Sequence, residues 1–189
     1  MIALGLRAHP KHVTFAVVTN PQAPVLKALS TVTLPAALHA PEQLFFVRTT
    51  LLDLIREYSV GSAVVRTTEP MAKSPNLMRL NIEGVIQELL GAGAVPRYFA
   101  GPLATIGRHL GVSTKDAKRM ATGEANIDGV DGWADQYDNE QREAIMAALA
   151  ALRIPRSRLS MITATQPLVA GPTHIEQSAL ADDEVSHAD

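Results

Sequence analysis

The chain contains no cysteine, which excludes a disulfide framework, a thiolate nucleophile and a Cys-ligated zinc. Aromatics make up only 4% of its 189 residues, so Ala, Val, Leu and Ile must build the core. No apolar run reaches the roughly 18 residues that a membrane-spanning helix needs. The N-terminus also lacks the basic segment and apolar stretch of a secretory signal, and residence in the cytoplasm is expected. No charge of either sign dominates. The formal net charge is −2, so any attraction to nucleic acid has to come from a local patch. Neither a G-x-S-x-G elbow nor a Walker glycine loop is present, which removes the common hydrolase and NTPase readings. The six histidines are scattered; among them His9 and His12 fall on the first turn, His109 near a helix end, and His174 and His187 in the tail. No pair has H-x-x-x-H spacing within an expected helix, so a zinc site is not expected.

What is present is an ordinary globular composition, 47% hydrophobic and 19% charged, in a chain long enough for one domain with some excess. Residues 2–7 and 12–19 read as short strands joined by a hairpin at His9-Pro10-Lys11, and Val25 to Leu34 as a third. Leu44, Val47, Leu51, Leu54, Ile55 and Tyr58 recur at helical spacing behind Pro41, which suits a first helical position. Val60 to Thr67 reads as a buried strand. A second helix is expected from the cap pair Ser74-Pro75 to a glycine stop at Gly91, followed by a short strand at Val95 to Phe99. Gly101 to Leu110 and Ser113 to Thr122 read as shorter helices. Asp138 with Gln141 forms a capping box for a last helix, Asn139 to Leu152. The pattern weakens beyond Arg158. A domain over 1–158 is therefore expected, with residues 159–189 as a largely flexible C-terminal extension. Three tightly connected strands, then alternating helices and strands, give an α/β fold with a mixed sheet flanked by helices.

Two strand ends carry arginine: Leu4-Gly5-Leu6-Arg7 and Val64-Val65-Arg66. Glu69 follows three residues after the second. The last helix opens with Glu140 and Glu143 ahead of Ala144 and Ala147-Ala148. This order resembles the ribonuclease-H-like superfamily, and within it the RuvC-like Holliday-junction resolvases, over roughly residues 1–152. The first strand of that family reads apolar, apolar, Gly, apolar, Asp, and its later strand ends in Glu. The resemblance thus puts Arg7 and Arg66 where metal-binding carboxylates would stand. Its lysine-bearing segment falls on Val112-Ser113-Thr114-Lys115, with Lys118 and Arg119 after it.

In active members the resemblance implies two Mg²⁺ ions, roughly 3.5–4 Å apart, held by carboxylates from two strands and a helix. Here two guanidinium groups would face the same spot, which favours ion pairs over a cation cage. No metal or other cofactor is expected unless Glu69, Glu140 and Glu143 serve a diverged Mg²⁺ nuclease. Glu140 and Glu143 share a helix face and could aim at one site, yet acids in a first helical turn also suit the macrodipole alone. Arg7 and Arg66 either grip a phosphate or a partner's carboxylate, or are satisfied internally by Glu140 or Glu143. A basic cluster of Arg108, Lys115, Lys118 and Arg119 is a candidate phosphate-facing patch or a plain solvated surface, with no interleaved aromatics for base stacking. The stretch from Glu124 through Asn126 and Asp128 to Asp135 imitates a calcium-loop spacing, but starts with Glu and ends with the shorter Asp, so a solvated acidic loop is expected. Trp133 and Tyr137 are expected to fold that loop onto the domain. The resulting expectation is a catalytically inactive RuvC-like domain acting as a protein-interaction subunit of a larger assembly, its partner unidentified. Nucleic-acid binding is the alternative, and a diverged metal-dependent nuclease ranks third.

Overall fold

In the computed structural model, which describes residues 1–71 and 73–155, five strands form one mixed sheet in the order β3-β2-β1-β4-β5. β1 (Ile2–His9) and β2 (His12–Thr19) make a hairpin, and β3 (Val25–Thr33) adds antiparallel to β2. β4 (Ser62–Arg66) and β5 (Tyr98–Gly101) then pair in parallel on the other side of β1. The parallel pairs need crossovers, and helices α1 (Ala40–Glu57) and α2 (Leu77–Leu89) supply them. The remaining helices are α3 (Leu103–Leu110), α4 (Thr114–Thr122), the short α5 (Trp133–Gln136) and α6 (Asn139–Leu152). No helix among the described residues is long and apolar enough to cross a membrane. The expected C-terminal extension, 159–189, lies outside the described residues.

The two faces of β1 carry different residues for a physical reason. Leu4, Leu6 and Ala8 point into a core of branched and aromatic side chains, where Val47, Leu51 and Ile55 of α1 and Ile82, Ile86 and Leu89 of α2 are buried. Ala3 and its neighbours Ala16, Val18 and Val64 face the alanine-rich α6 instead, with Ala144, Ala147, Ala148 and Ala151 all buried. Small residues on both partners let this helix approach the sheet closely. Gly5 marks the closest point, where a Cβ would overlap Ala144 O and Ala148 N. α6 therefore lies across β1, β2 and β4, its N-terminal turn near the strand ends that carry Arg7 and Arg66.

Several boundaries differ from expectation. α2 is capped by Asn76, whose side chain accepts from Arg79 N, rather than by Ser74. The chain does not stop at Gly91 but widens into a π-type turn, Leu90–Ala94, where Gly93 takes φ +91°. The strand expected at Val95 to Phe99 lies at Tyr98–Gly101, because Val95 anchors the preceding loop in the core and Pro96 has no N–H to pair. Gly101 accordingly belongs to β5, and α3 starts two residues later than expected. β4 is shorter than the expected Val60 to Thr67, and the acidic loop contains α5.

Candidate functional site

Arg7 and Arg66 are direct register partners on the parallel strands β1 and β4, so their side chains emerge side by side toward α6. The capping box at Asp138 and Gln141 starts α6 where its second turn brings Glu143 to them. Glu143 Oε2 is in contact with Arg7 Nε and lies 3.3 Å from Arg66 Nε, while Arg66 Nη2 donates to Oε1 at 3.4 Å. Arg66 Nη2 also meets Glu69 Oε1 at 3.0 Å. All three central groups are largely withdrawn from water, at 12% side-chain exposure for Arg7, 6% for Arg66 and 13% for Glu143. The contact of Arg7 Nε with Glu143 is an ion pair without hydrogen-bond alignment, and Arg7 Nη1 has no hydrogen-bond partner among the described residues.

Two further carboxylates edge this cluster. Glu69, after the end of β4, accepts from Leu103 N at 3.2 Å and so caps α3, whose own N-cap residue is Pro102 and has no side chain to offer. Glu83 of α2 is buried and fully used, accepting from Thr68 N, from Thr68 Oγ1 at 2.9 Å and from Arg79 Nε at 3.0 Å. The whole is a knot of three arginines and three glutamates. Burial pushes the Glu143 carboxyl above its ordinary range; Arg66 and Arg79 pull it back, and the charge of Glu69 adds to the rise. Glu69, Glu83 and Glu143 thus each have at least one oxygen turned toward a cation of the protein itself.

Glu140 and Glu143 do not aim at one spot. Glu140, one turn earlier on α6, sits with its Oε2 2.5 Å from His12 Nε2 at the tip of the β1–β2 hairpin. Arg108, Lys115, Lys118 and Arg119 are exposed on α3 and α4, with Arg119 3.9 Å from Asp116 of its own helix. The acids of residues 124–135 form no three-ligand grouping among the described residues. Trp133 is buried, donates Nε1–H to Met120 O at 2.8 Å and packs against Tyr137 at 6.1 Å. The loop is held down as well by Arg142, a buried arginine that donates to Trp133 O and Ala134 O.

Sequence reasoning missed Arg79, Glu83, Arg142 and the grouping of His9 and His12 with Glu140. The Arg79 and Glu83 pair has a readable i,i+4 spacing. Nothing local distinguishes Arg142 from a solvated helix residue. The two histidines flank a two-residue turn, a spacing that makes them cross-strand neighbours once the hairpin register is known.

No family model and no curated protein sequence matches the chain. Solved structures do. The structure of Thermus thermophilus RuvC superposes with a TM-score of 0.61 at 14% identity, covering 79% of this chain and 92% of that one. T. thermophilus RuvC in complex with a Holliday junction substrate gives 0.59 at 15% identity, covering 79% and 91%. At such identity the likeness speaks for the fold alone. The fold is α/β and ribonuclease-H-like, a mixed five-stranded sheet with flanking helices, as in these neighbours.

Proposed function

We propose that this chain is a RuvC-like domain that binds without cutting, serving as a protein-interaction subunit of a larger assembly. One observation carries the first half: Glu143 is held between the guanidinium groups of Arg7 and Arg66. A pair of Mg²⁺ ions requires several oxygen ligands converging on one point. Here two fixed positive charges stand at that point, and the nearest carboxylates are already paired, so the residues do not fit a two-metal centre. Support for the second half comes from the small net charge and from large apolar residues left on the crossover helices, Phe45 on α1 at 68% exposure and Leu77 on α2 at 76%.

The test uses a four-way DNA junction with Mg²⁺ or Mn²⁺, comparing the full chain with Glu143→Ala. No metal-dependent cleavage above that of the variant is expected. Cleavage that Glu143→Ala abolishes would overturn the proposal in favour of a diverged nuclease using Glu69, Glu140 and Glu143. A second reading, nucleic-acid binding, is supported by the exposed cations on α3 and α4 and by the junction bound to the related T. thermophilus fold. In that reading Arg7 and Arg66 contribute little, because Glu143 already occupies them.

A further inference from the structure

We infer that His9, His12 and Glu140 form a binding site for a divalent transition-metal ion of the zinc class, at the mouth of the first hairpin. His9 and His12 are the last register pair of β1 and β2, so the two-residue turn Pro10-Lys11 holds their side chains on the same face of the sheet. Their rings stack with centroids 4.2 Å apart. α6 brings Glu140 onto that face, its Oε2 2.5 Å from His12 Nε2. One ligand atom from each of the three residues lies within 4.8 Å of the other two, and all three residues are half-buried. Ligands on a tetrahedral Zn²⁺, each roughly 2.0–2.1 Å from the metal, stand about 3.4 Å apart, a distance that small side-chain rotations reach from here.

The donor chemistry selects the ion. Two imidazoles with one carboxylate suit Zn²⁺, Co²⁺ or Ni²⁺, whereas Mg²⁺ and Ca²⁺ want an oxygen shell that this corner does not offer. Glu143, one turn further along α6, is taken by Arg7 and Arg66 and supplies no fourth ligand. The fourth position therefore falls to water or to a donor from a bound partner. Binding engages the free lone pair of each ring. The Lys11 N–H bond to His9 Nδ1, 3.3 Å long and exposed, gives way if that nitrogen carries the proton or takes the metal. The metal would pin the turn to the start of α6, a link between residues 128 positions apart in sequence. This site is separate from the arginine–glutamate knot, and its failure would leave the proposed binding role untouched.

The experiment titrates the chelator-treated full chain with Zn²⁺ by calorimetry and with Co²⁺ by visible absorption. One equivalent is expected to bind, with a four-coordinate Co²⁺ spectrum and a raised Tm in Zn²⁺. His12→Ala and Glu140→Gln should each weaken binding by about tenfold or more, given that even supporting contacts cost that much. A control, His174→Ala/His187→Ala, removes two other histidines and should leave binding unchanged. Absence of stoichiometric uptake, uptake indifferent to His12→Ala, or uptake lost in the control would each overturn the site.

Discussion

At the scale of single residues, the fate of this domain turns on what surrounds one carboxyl group. Glu143 is attracted by guanidinium groups and penalised by burial, and the balance lifts its pKa above the ordinary 4.5. Between that value and the raised one, the native state keeps a proton that the unfolded chain has released. The contribution of this group is thus largest below 4.5 and declines as pH rises through the raised pKa. Glu143→Gln removes the titration while keeping the shape. Urea unfolding of both proteins from about pH 4 to about pH 7 should show the wild type losing stability relative to the variant as pH rises. An advantage that grows with pH would mean that Arg7 and Arg66 outweigh desolvation, and that the knot is held by charge. The arginines themselves were legible, because a charged residue ending an apolar strand is visible in Leu4-Gly5-Leu6-Arg7 and Val64-Val65-Arg66. Which acid met them was not legible. Glu140 and Glu143 lie on one helix face, and only the position of α6 along β1 sends one to His12 and the other to Arg7.

At the scale of elements, that position is set by Gly5. Its α carbon sits under α6, and a Cβ there would overlap Ala144 O and Ala148 N and come within 2.9 Å of Ala148 Cα. These are backbone atoms of a helix held on one side by β1, β2 and β4, so they cannot yield as a flexible side chain would. Gly5→Ala should therefore cost about 1–3 kcal/mol or more by chemical denaturation, whereas Gly84→Ala, at an open position inside α2, should stabilise by up to about 1 kcal/mol. Equal effects at the two glycines would show that α6 is free to shift. The same contrast explains which elements were readable. The caps Ser113 and Asp138 act on amides three residues away, and such local chemistry is written in the sequence. The last helix and the fourth of the helices start where those caps say. β5 and the end of α2 depend on packing at long range. Val95 looks like strand but serves as a buried anchor, and Gly91 looks like a stop although the left-handed turn comes at Gly93. That the sheet is mixed followed from connection lengths, since short links demand antiparallel neighbours and helical ones allow parallel pairs, whereas the order that puts β4 beside β1 is set by packing.

At the scale of the whole molecule, the net charge of −2 conceals an uneven distribution. The arginine–glutamate knot is internally balanced and contributes little field outside. Arg108, Lys115 and Lys118 are exposed without a carboxylate within ion-pair distance among the described residues, and Arg119 is only loosely offset by Asp116. If nucleic acid binds, it should do so here, and counterion release then sets the salt response. Four phosphate contacts imply that affinity for a four-way junction falls on the order of a hundredfold between about 50 and about 200 mM salt. Lys115→Glu/Arg119→Glu replaces two of those cations by anions, so it should weaken binding at every salt concentration and flatten the slope. The two positions lie on α4, away from the register row of Arg7 and Arg66, so the fold and the knot serve as internal controls. Fluorescence anisotropy of a labelled junction measures both quantities. Affinity that ignores salt, or survives the double reversal, would leave the cations as a solvated face. The apolar surface on α1 and α2 would then be the stronger candidate for contact with other molecules.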